Sequence, residues 1–170
     1  KKNFEEKYDK RQLFSCMIST NKSSKKKLKN DLYHKRFELI DFVEKNKLNH
    51  FELYGMDWNL PYKKSGFFGR ILNLKNKIFL KKNKLNCYKG MADSKSSVLR
   101  NAKFVFCIEN FCLEGYISDP IFDAFNNGCV PIYLGPKNVS KYIPENTFID
   151  LRKFKNFSEV FQFLENINSF

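Results

Sequence analysis

Five polar or aromatic side chains follow an apolar run in the second half of the chain and could together bind a ligand. They are Glu109, Asn110, Tyr116, Ser118 and Asp119. A carboxylate can accept hydrogen bonds from two ribose hydroxyls, and an aromatic ring can pack on a base or a sugar. The segment after Ser118 is expected to open a helix, whose free N–H groups attract a pyrophosphate. These residue types in this order are typical of a nucleotide-sugar site.

The same residues also have a purely structural interpretation. Asn and Asp are common in loops, Asp119 can serve only as a helix cap, and Tyr116 can serve only as a packed ring. Taken singly, each residue fits this interpretation. The joint pattern of the segment and its flanks must therefore decide between the two.

A strand and a helix are predicted on either side of this segment. Residues 103–108 are almost continuously apolar, as expected for a strand buried on both faces. Ser118 or Asp119 is the predicted N-cap of the helix, with Pro120 in its first turn and Gly128 as its left-handed end. The predicted buried face of this helix comprises Ile121, Phe122, Ala124 and Phe125.

Strands and helices alternate along the rest of the chain as well. Residues 71–84 fit either a helix or a loop. The alternation predicts an α/β fold, a Rossmann-like parallel sheet with helices on both faces, in a single domain over residues 1–170. Further strands are predicted at residues 13–19, 51–54, 129–134 and 147–151. Further helices are predicted at residues 32–46 with Asn30 or Asp31 as cap, at residues 94–101, and at residues 158–167 with Ser158 as cap.

Charge and composition narrow the classes of function. The chain has 170 residues, 42% of them hydrophobic, and no apolar run near the roughly 20 residues of a membrane span. The formal net charge of +13 favours an anionic partner such as a nucleotide, a nucleic acid or an acidic membrane. Because the lysines are scattered and no basic motif is interleaved with aromatic residues, we predict no nucleic-acid partner.

The cysteines and histidines do not form a metal-site pattern. None of the five cysteines belongs to a CxxC pair, and the chain has two histidines, so no metal site is predicted. Cys16, Cys107 and Cys129 lie in apolar surroundings and are expected to be buried thiols. An odd count without a spacing pattern favours a reducing compartment.

Three different sequence motifs follow one another between residues 104 and 150, and weaker motifs occur at residues 32–36, 53–58, 88–95 and 138–149. Together they resemble the C-terminal donor-binding domain of the α-1,3/4-fucosyltransferases, glycosyltransferase family 10. That family has a strand ending in F-E-N, a Y-[VI]-[ST]-E-K segment that opens a helix, and a [VI]-P-[IV]-Y-x-G strand. The corresponding residues here are Ile108-Glu109-Asn110, Tyr116-Ile117-Ser118-Asp119-Pro120 and Val130-Pro131-Ile132-Tyr133-Leu134-Gly135.

The resemblance implies a donor site. Asn110, Tyr116 and Asp119 match positions that hold the nucleotide and ribose of GDP-fucose, and Arg36 matches an arginine on the donor phosphates. Glu109 matches a glutamate expected either to contact the fucose or to hold the loop. Ser118 completes the same segment, and Lys95 matches a family lysine to which we assign no role.

The resemblance also implies the reaction, an inverting transfer of fucose from GDP-fucose to a hydroxyl of an N-acetylglucosamine or glucose unit in a glycan. The general base is expected in an acceptor domain N-terminal to the matched segments, so no catalytic residue is expected here. GDP-fucose is a substrate, and neither a cofactor nor a metal is required. The expected partners are the nucleotide sugar, the glycan acceptor, and an acceptor domain on this or a second chain.

The segment departs from the family pattern at Asp119, where a glutamate would reach one methylene further towards the ribose, and at Pro120. Pro120 stands where the family has a lysine that neutralises the leaving pyrophosphate, with Lys137 a possible substitute and Lys35 a second cation beside Arg36. A non-catalytic nucleotide-sugar module and a related glycosyltransferase with another donor therefore stay open. The net charge of +13 keeps a nucleic-acid binder as a third alternative, against which the lack of basic–aromatic motifs argues. The first ten residues resemble the interior of a longer chain. The expected location is the cytoplasm or a membrane surface for a bacterial or viral protein, and the Golgi for part of a eukaryotic enzyme.

Overall fold

The fold is a parallel sheet with helices packed on both faces. The computed structural model describes residues 8–21, 30–59 and 85–168. Its strands are β1 (Leu13–Ile18), β2 (Phe51–Tyr54), β3 (Tyr88–Gly90), β4 (Ala102–Ile108), β5 (Val130–Leu134) and β6 (Ile149–Asp150). Its helices are α1 (Tyr33–Lys45), α2 (Lys95–Asn101), α3 (Asp119–Asn126) and α4 (Phe157–Asn168).

The six strands lie in the order β3-β2-β1-β4-β5-β6, and every neighbouring pair is parallel. This order is the one found in dinucleotide-binding Rossmann folds. The predicted α/β class and parallel sheet are therefore confirmed.

Alternation along β4 explains how both faces are covered. Phe104 and Phe106 face the core beneath α1 and α4, whereas Val105 and Cys107 face the core beneath α2 and α3. Because each face is buried under helices, the strand is apolar except for Lys103 near its start. The first core also contains Leu39, Ile40 and Val43 of α1 and Val160, Phe161 and Leu164 of α4; the second contains Leu99 of α2 and Ile121 and Ala124 of α3.

The turn after β2 packs tightly on the end of β1. Gly55 has φ +125°, and a Cβ at this position would lie 1.7 Å from the Ser19 carbonyl oxygen. The Trp58 indole donates a hydrogen bond to that same oxygen at 2.8 Å. The motif at residues 53–58 thus closes the carboxyl end of β1 and has a structural role.

Several predicted details were wrong. Helix α4 begins at Phe157, and Asn156 rather than Ser158 caps it, because the Asn156 side chain accepts from the Glu159 N–H at 3.0 Å. Strand β6 contains two residues, since the chain forms 3-10 turns on either side of it. Phe122 is 47% exposed because it points away from the face that Ile121 and Ala124 share.

Strand β3 was not predicted, and the segment at residues 71–84 lies outside the described residues. No helix in the described part of the chain is both long and apolar enough to cross a membrane.

Candidate functional site

Strands β1 and β4 are neighbours in the sheet although they are not consecutive in the chain. From β1 the chain continues to β2 on one side, and from β4 it continues to β5 on the other. Ligands of open α/β sheets bind in the crevice at the carboxyl ends of the strands where the connections diverge in this way. Glu109 and Asn110 directly follow β4 and lie at this point.

Glu109 is a buried anchor for the loop between β4 and α3 (residues 109–118, here the β4–α3 loop). Its side chain is 2% exposed. One carboxylate oxygen accepts from the Ser118 N–H at 2.8 Å and from the Tyr133 hydroxyl at 3.1 Å, and the other accepts from the Ser118 hydroxyl. These bonds join Glu109 to the far end of the β4–α3 loop and to β5, and a contact between Glu109 and the fucose stays a prediction.

Tyr133 reaches Glu109 because residue 135 is glycine. A Cβ on Gly135 would lie 2.3 Å from the Tyr133 hydroxyl oxygen and would push the ring away. Burial raises the pKa of Tyr133, and the nearby Glu109 carboxylate raises it further. The phenol therefore stays protonated and remains a donor at neutral pH.

Arg36 of α1 binds the end of β4 from the face of the sheet opposite to Tyr133. Its Nε and Nη2 donate to the Ile108 carbonyl at 3.2 and 2.5 Å, and Nη2 also donates to the Asn110 side-chain oxygen at 2.9 Å. The guanidinium packs over the Tyr33 ring, 5.1 Å from its centroid. Burial lowers the pKa of Arg36, although the neighbouring Tyr33 and Glu109 favour its charged form. Arg36 is thus not a solvated helix charge but a buried clamp at the site, and its predicted contact with phosphates stays a prediction.

The start of α1 and the β4–α3 loop are joined by their backbones. Leu32 N–H donates to the Asn110 carbonyl at 3.0 Å, and Cys112 N–H donates to the Asn30 carbonyl at 2.8 Å. Beside this pairing, the Phe111 ring lies in edge contact with the Tyr116 ring, their centroids 6.3 Å apart. The loop therefore holds Asn110 and Tyr116 on a backbone that is braced at both ends.

Asp119 is an exposed carboxylate at the site. It is exposed at the first position of α3, and it has no hydrogen-bond or ion-pair partner among the residues that the structure describes. Ser118 is the N-cap, but its hydroxyl binds Glu109 instead of the helix N–H groups. Asp119, not Glu109, is consequently placed to accept hydroxyl groups of a ligand.

The predicted cations lie around this site at different places. Lys95 begins α2, and its Nζ lies 3.1 Å from an Asp123 carboxylate oxygen on α3. Lys35 pairs with Glu38 at 2.6 Å on α1, and Lys137 is exposed after β5. Pro120 leaves the first turn of α3 without a basic side chain.

A cavity of 650 Å³ lies away from these groups, between α1 and the part of the chain around β6 and α4. Three of its cations, Lys35, Lys45 and Arg152, are already paired with nearby carboxylates. The polar groups named in the preceding paragraphs lie outside this groove, except the pair Lys35 and Glu38. We therefore place the candidate site at the carboxyl ends of β1 and β4.

Within the described ranges, no three His, Cys, Asp or Glu side chains come together as a possible metal site. The same part of the chain contains four ion pairs between lysine and a carboxylate, and these partly neutralise the surface charge. A continuous basic surface for a nucleic acid backbone is not favoured by that arrangement.

Three solved or curated proteins illustrate what the chain is similar to. It is 37% identical over 65 residues to an alpha-(1,4)-fucosyltransferase of Arabidopsis thaliana, a match that covers 38% of this chain and 16% of that protein. Two crystal structures of alpha1,3-fucosyltransferase, the second with GDP-fucose, each match 98% of this chain at 20% identity. Their TM-scores are 0.62 and 0.59, and the match covers 36% and 38% of their chains.

The chain thus spans about a third of the solved proteins and a smaller share of the plant relative. At 20% identity the structural matches support the fold alone. The family model for the C-terminal part of glycosyltransferase family 10 (fucosyltransferase) matches residues 67–169, which is more than half of the chain. This chain therefore belongs to glycosyltransferase family 10, the fucosyltransferase family, and corresponds to its C-terminal part.

Proposed function

We propose that this chain is the donor-binding part of an inverting fucosyltransferase. In the proposed reaction, fucose passes from GDP-fucose to a hydroxyl of an N-acetylglucosamine or glucose unit of a glycan. The observation that carries the proposal is the exposed, unpartnered Asp119 carboxylate, held at the β1/β4 divergence by the bonds between Ser118 and Glu109. A solved family relative with GDP-fucose bound has the same fold.

Each residue of the site has a proposed contact. Asp119 accepts the two ribose hydroxyls, because it is an exposed carboxylate at the start of α3. Tyr116 packs on the base or the sugar, and the Asn110 amide, oriented by Arg36, donates to the nucleotide. Arg36 adds positive charge beneath the phosphates.

The chemical step needs groups outside this chain's site. The acceptor hydroxyl oxygen attacks the anomeric carbon of fucose while the bond from that carbon to the GDP oxygen breaks. GDP leaves with the electron pair, and a general base in an acceptor domain takes the hydroxyl proton. The role proposed for this chain is to bind GDP-fucose and stabilise the departing GDP.

Titration calorimetry with GDP, GDP-fucose and guanosine tests the donor role. We expect saturable GDP binding that Asp119→Ala weakens about tenfold, the loss of a hydrogen-bonded charge. The matched control is Glu145→Ala, which removes an exposed carboxylate from the 3-10 turn before the edge strand β6, whereas the site follows the ends of the central strands β1 and β4. A chain that binds no GDP at millimolar concentration contradicts the proposal.

A second candidate function is a nucleotide-sugar module without catalysis, favoured by Pro120 in the first turn of α3. Proline supplies neither a cation nor an N–H to a leaving diphosphate. Supplying a complete family acceptor domain together with GDP-fucose and an acceptor sugar separates the two. Fucose transfer supports the enzyme, whereas donor binding without transfer supports the module. Tighter binding of another nucleotide sugar than of GDP-fucose would instead indicate a related glycosyltransferase.

A further inference from the structure

We propose that Lys95 is the cation that stabilises the diphosphate of the donor, and that Asp123 holds it beside the site until the donor binds. The inference rests on the proposed function, because it assigns a residue to the departing GDP. It concerns an ion pair between two helices that converge on the candidate site.

The geometry brings Lys95 to the start of α3 from a different helix. Lys95 begins α2, and the Ser94 hydroxyl caps that helix by accepting from the Ser97 N–H at 3.0 Å. Its Nζ reaches across to Asp123 at 3.1 Å. Lys95 also lines a recess of 30 Å³ together with Pro120 and Ile18, the last residue of β1. Lys95 therefore lies next to the turn of α3 that lacks a basic residue.

The pair between Lys95 and Asp123 is easily exchanged. The side chain of Lys95 is 59% exposed and that of Asp123 is 34% exposed. Exposed ion pairs contribute little, since water screens them and both side chains lose freedom. A diphosphate carries more charge than one carboxylate and accepts charge-assisted hydrogen bonds, so it competes well for the ammonium group.

Arg36 and Lys35 are less suited to this task, and Lys137 follows β5 and does not line the recess beside Pro120. Arg36 already uses Nε and Nη2 on Ile108 and Asn110, and its side chain is buried. Lys35 lies on α1 and forms a short pair with Glu38. Lys95 combines exposure, a weak partner and a position beside Pro120.

During transfer, negative charge grows on the β-phosphate as the bond between the anomeric carbon and the phosphate oxygen breaks. The electron pair stays on that oxygen, and a lysine N–H directed at the phosphate stabilises it. No proton needs to leave Lys95 for this role. The same charge interaction also strengthens the binding of GDP itself, which gives a readout that does not depend on activity.

The test measures binding of GDP and guanosine to Lys95→Gln, Asp123→Asn and Lys45→Gln by calorimetry. We expect Lys95→Gln to weaken GDP binding about tenfold and to leave guanosine binding unchanged. Asp123→Asn releases Lys95 and should strengthen GDP binding about two- to fivefold. Lys45→Gln is the matched control, because Lys45 also pairs with a carboxylate on a helix, 2.7 Å from Asp41, but at the far end of α1.

A second variant checks that the effect is one of charge. In Lys95→Gln, the additional change Pro120→Lys returns a cation to the same recess and should restore GDP binding. Equal losses for GDP and guanosine, or GDP binding that Lys95→Gln leaves unchanged, overturn the inference alone. Absence of GDP binding to the unchanged protein overturns the proposed function and the inference with it.

Discussion

Glu109 and Ser118 are joined twice, because both the backbone N–H and the hydroxyl of Ser118 donate to the Glu109 carboxylate. Glu109 is the first residue after β4, and Ser118 is the N-cap of α3. The two bonds therefore close the β4–α3 loop on itself and fix where the helix starts. The loop needs no ligand to set the position of Asp119.

Replacing the Glu109 carboxylate should destabilise the fold. In Glu109→Gln, the buried side chain keeps one acceptor oxygen in place of two, so at least one of its three donors loses its acceptor and the remaining bonds lose the assistance of the charge. We expect the free energy of unfolding to fall by about 2–3 kcal/mol. Denaturant unfolding followed by fluorescence of Trp58 measures this, since Trp58 is the single tryptophan and is buried.

Ser118→Ala is the graded comparison for this prediction. It removes the hydroxyl but keeps the N–H bond to Glu109, so the loss should be about 1 kcal/mol. Unfolding curves for Glu109→Gln that coincide with those of the unchanged protein would show that the carboxylate does not anchor the loop.

Arg36→Lys should be a damaging substitution even though it keeps the positive charge. Lysine cannot reproduce the fork that binds the Ile108 carbonyl and Asn110, nor the planar contact with Tyr33. We expect a loss of about 2–3 kcal/mol in the free energy of unfolding, measured by denaturant titration. The control is Lys35→Ala, for which we expect a loss of no more than about 0.5 kcal/mol because its partner Glu38 is exposed. If Arg36→Lys loses no more stability than this control, Arg36 does not hold the end of β4 in place.

The pair between Asp150 and Arg152 should make stability depend on pH. Arg152 donates to both oxygens of Asp150, at 2.7 to 3.1 Å. Burial alone would raise the pKa of Asp150, but the hydrogen bonds and the charge of Arg152 outweigh it and hold that pKa below its usual value. A carboxyl whose pKa is lowered by folding stabilises the fold above its unfolded pKa, about 4 for Asp, and loses this effect as the pH falls through the folded pKa.

Asp150→Asn should therefore be less stable than the unchanged protein at pH 7, by about 1–2 kcal/mol. The difference should shrink steadily as the pH is lowered below about 4. Urea unfolding at pH 7, 5 and 3 measures it, with Asp41→Asn as the exposed control, since Asp41 and Lys45 are both largely in solvent. A difference of the same size at pH 3 and pH 7 would be inconsistent with the pair as the cause.

The fold could be predicted because local patterns encode it. Residues 104–108 are apolar on both faces of β4, and Gly128, with φ +69°, ends α3 where the sequence predicted. Strand β3 was missed because three residues are too few to show alternation. The cap of α4 was misplaced because Asn156 and Ser158 are both capping residues. Glu159, three residues after Asn156, decides between them, because its N–H donates to the Asn156 side chain and its carboxylate accepts from the Lys155 N–H just before the cap.

The residues of the candidate site could be named from the sequence, but their arrangement could not. Glu109 begins the β4–α3 loop and Asp119 directly follows it, and residue type cannot tell which carboxylate is bonded within the chain. The partner that separates them, Tyr133, lies 24 residues from Glu109 in the chain, and no periodic pattern predicts such a contact. Likewise, the pairing of Lys95 with Asp123 depends on how two helices pack on the sheet.

Cys112 should be the fast-reacting thiol of the native protein. All five cysteines are free, and four of them are buried, whereas Cys112 is partly exposed. Burial raises the pKa of Cys87 to about 12 and that of Cys129 to about 11, and it raises those of Cys16 and Cys107 well above the usual value. Since the thiolate is the nucleophile, these four thiols should be unreactive while the fold is intact.

Ellman's reagent at pH 8 measures this directly. We expect one rapid equivalent from the native protein, absent in Cys112→Ser, and the other four thiols only after denaturant is added. Two or more rapid equivalents, or a rapid phase that survives Cys112→Ser, would show that a second cysteine is accessible. Cys112 lies in the β4–α3 loop, where its Sγ donates to the Gly135 carbonyl at 3.3 Å. Protection of this rapid phase by GDP would therefore also report occupancy of the proposed donor site.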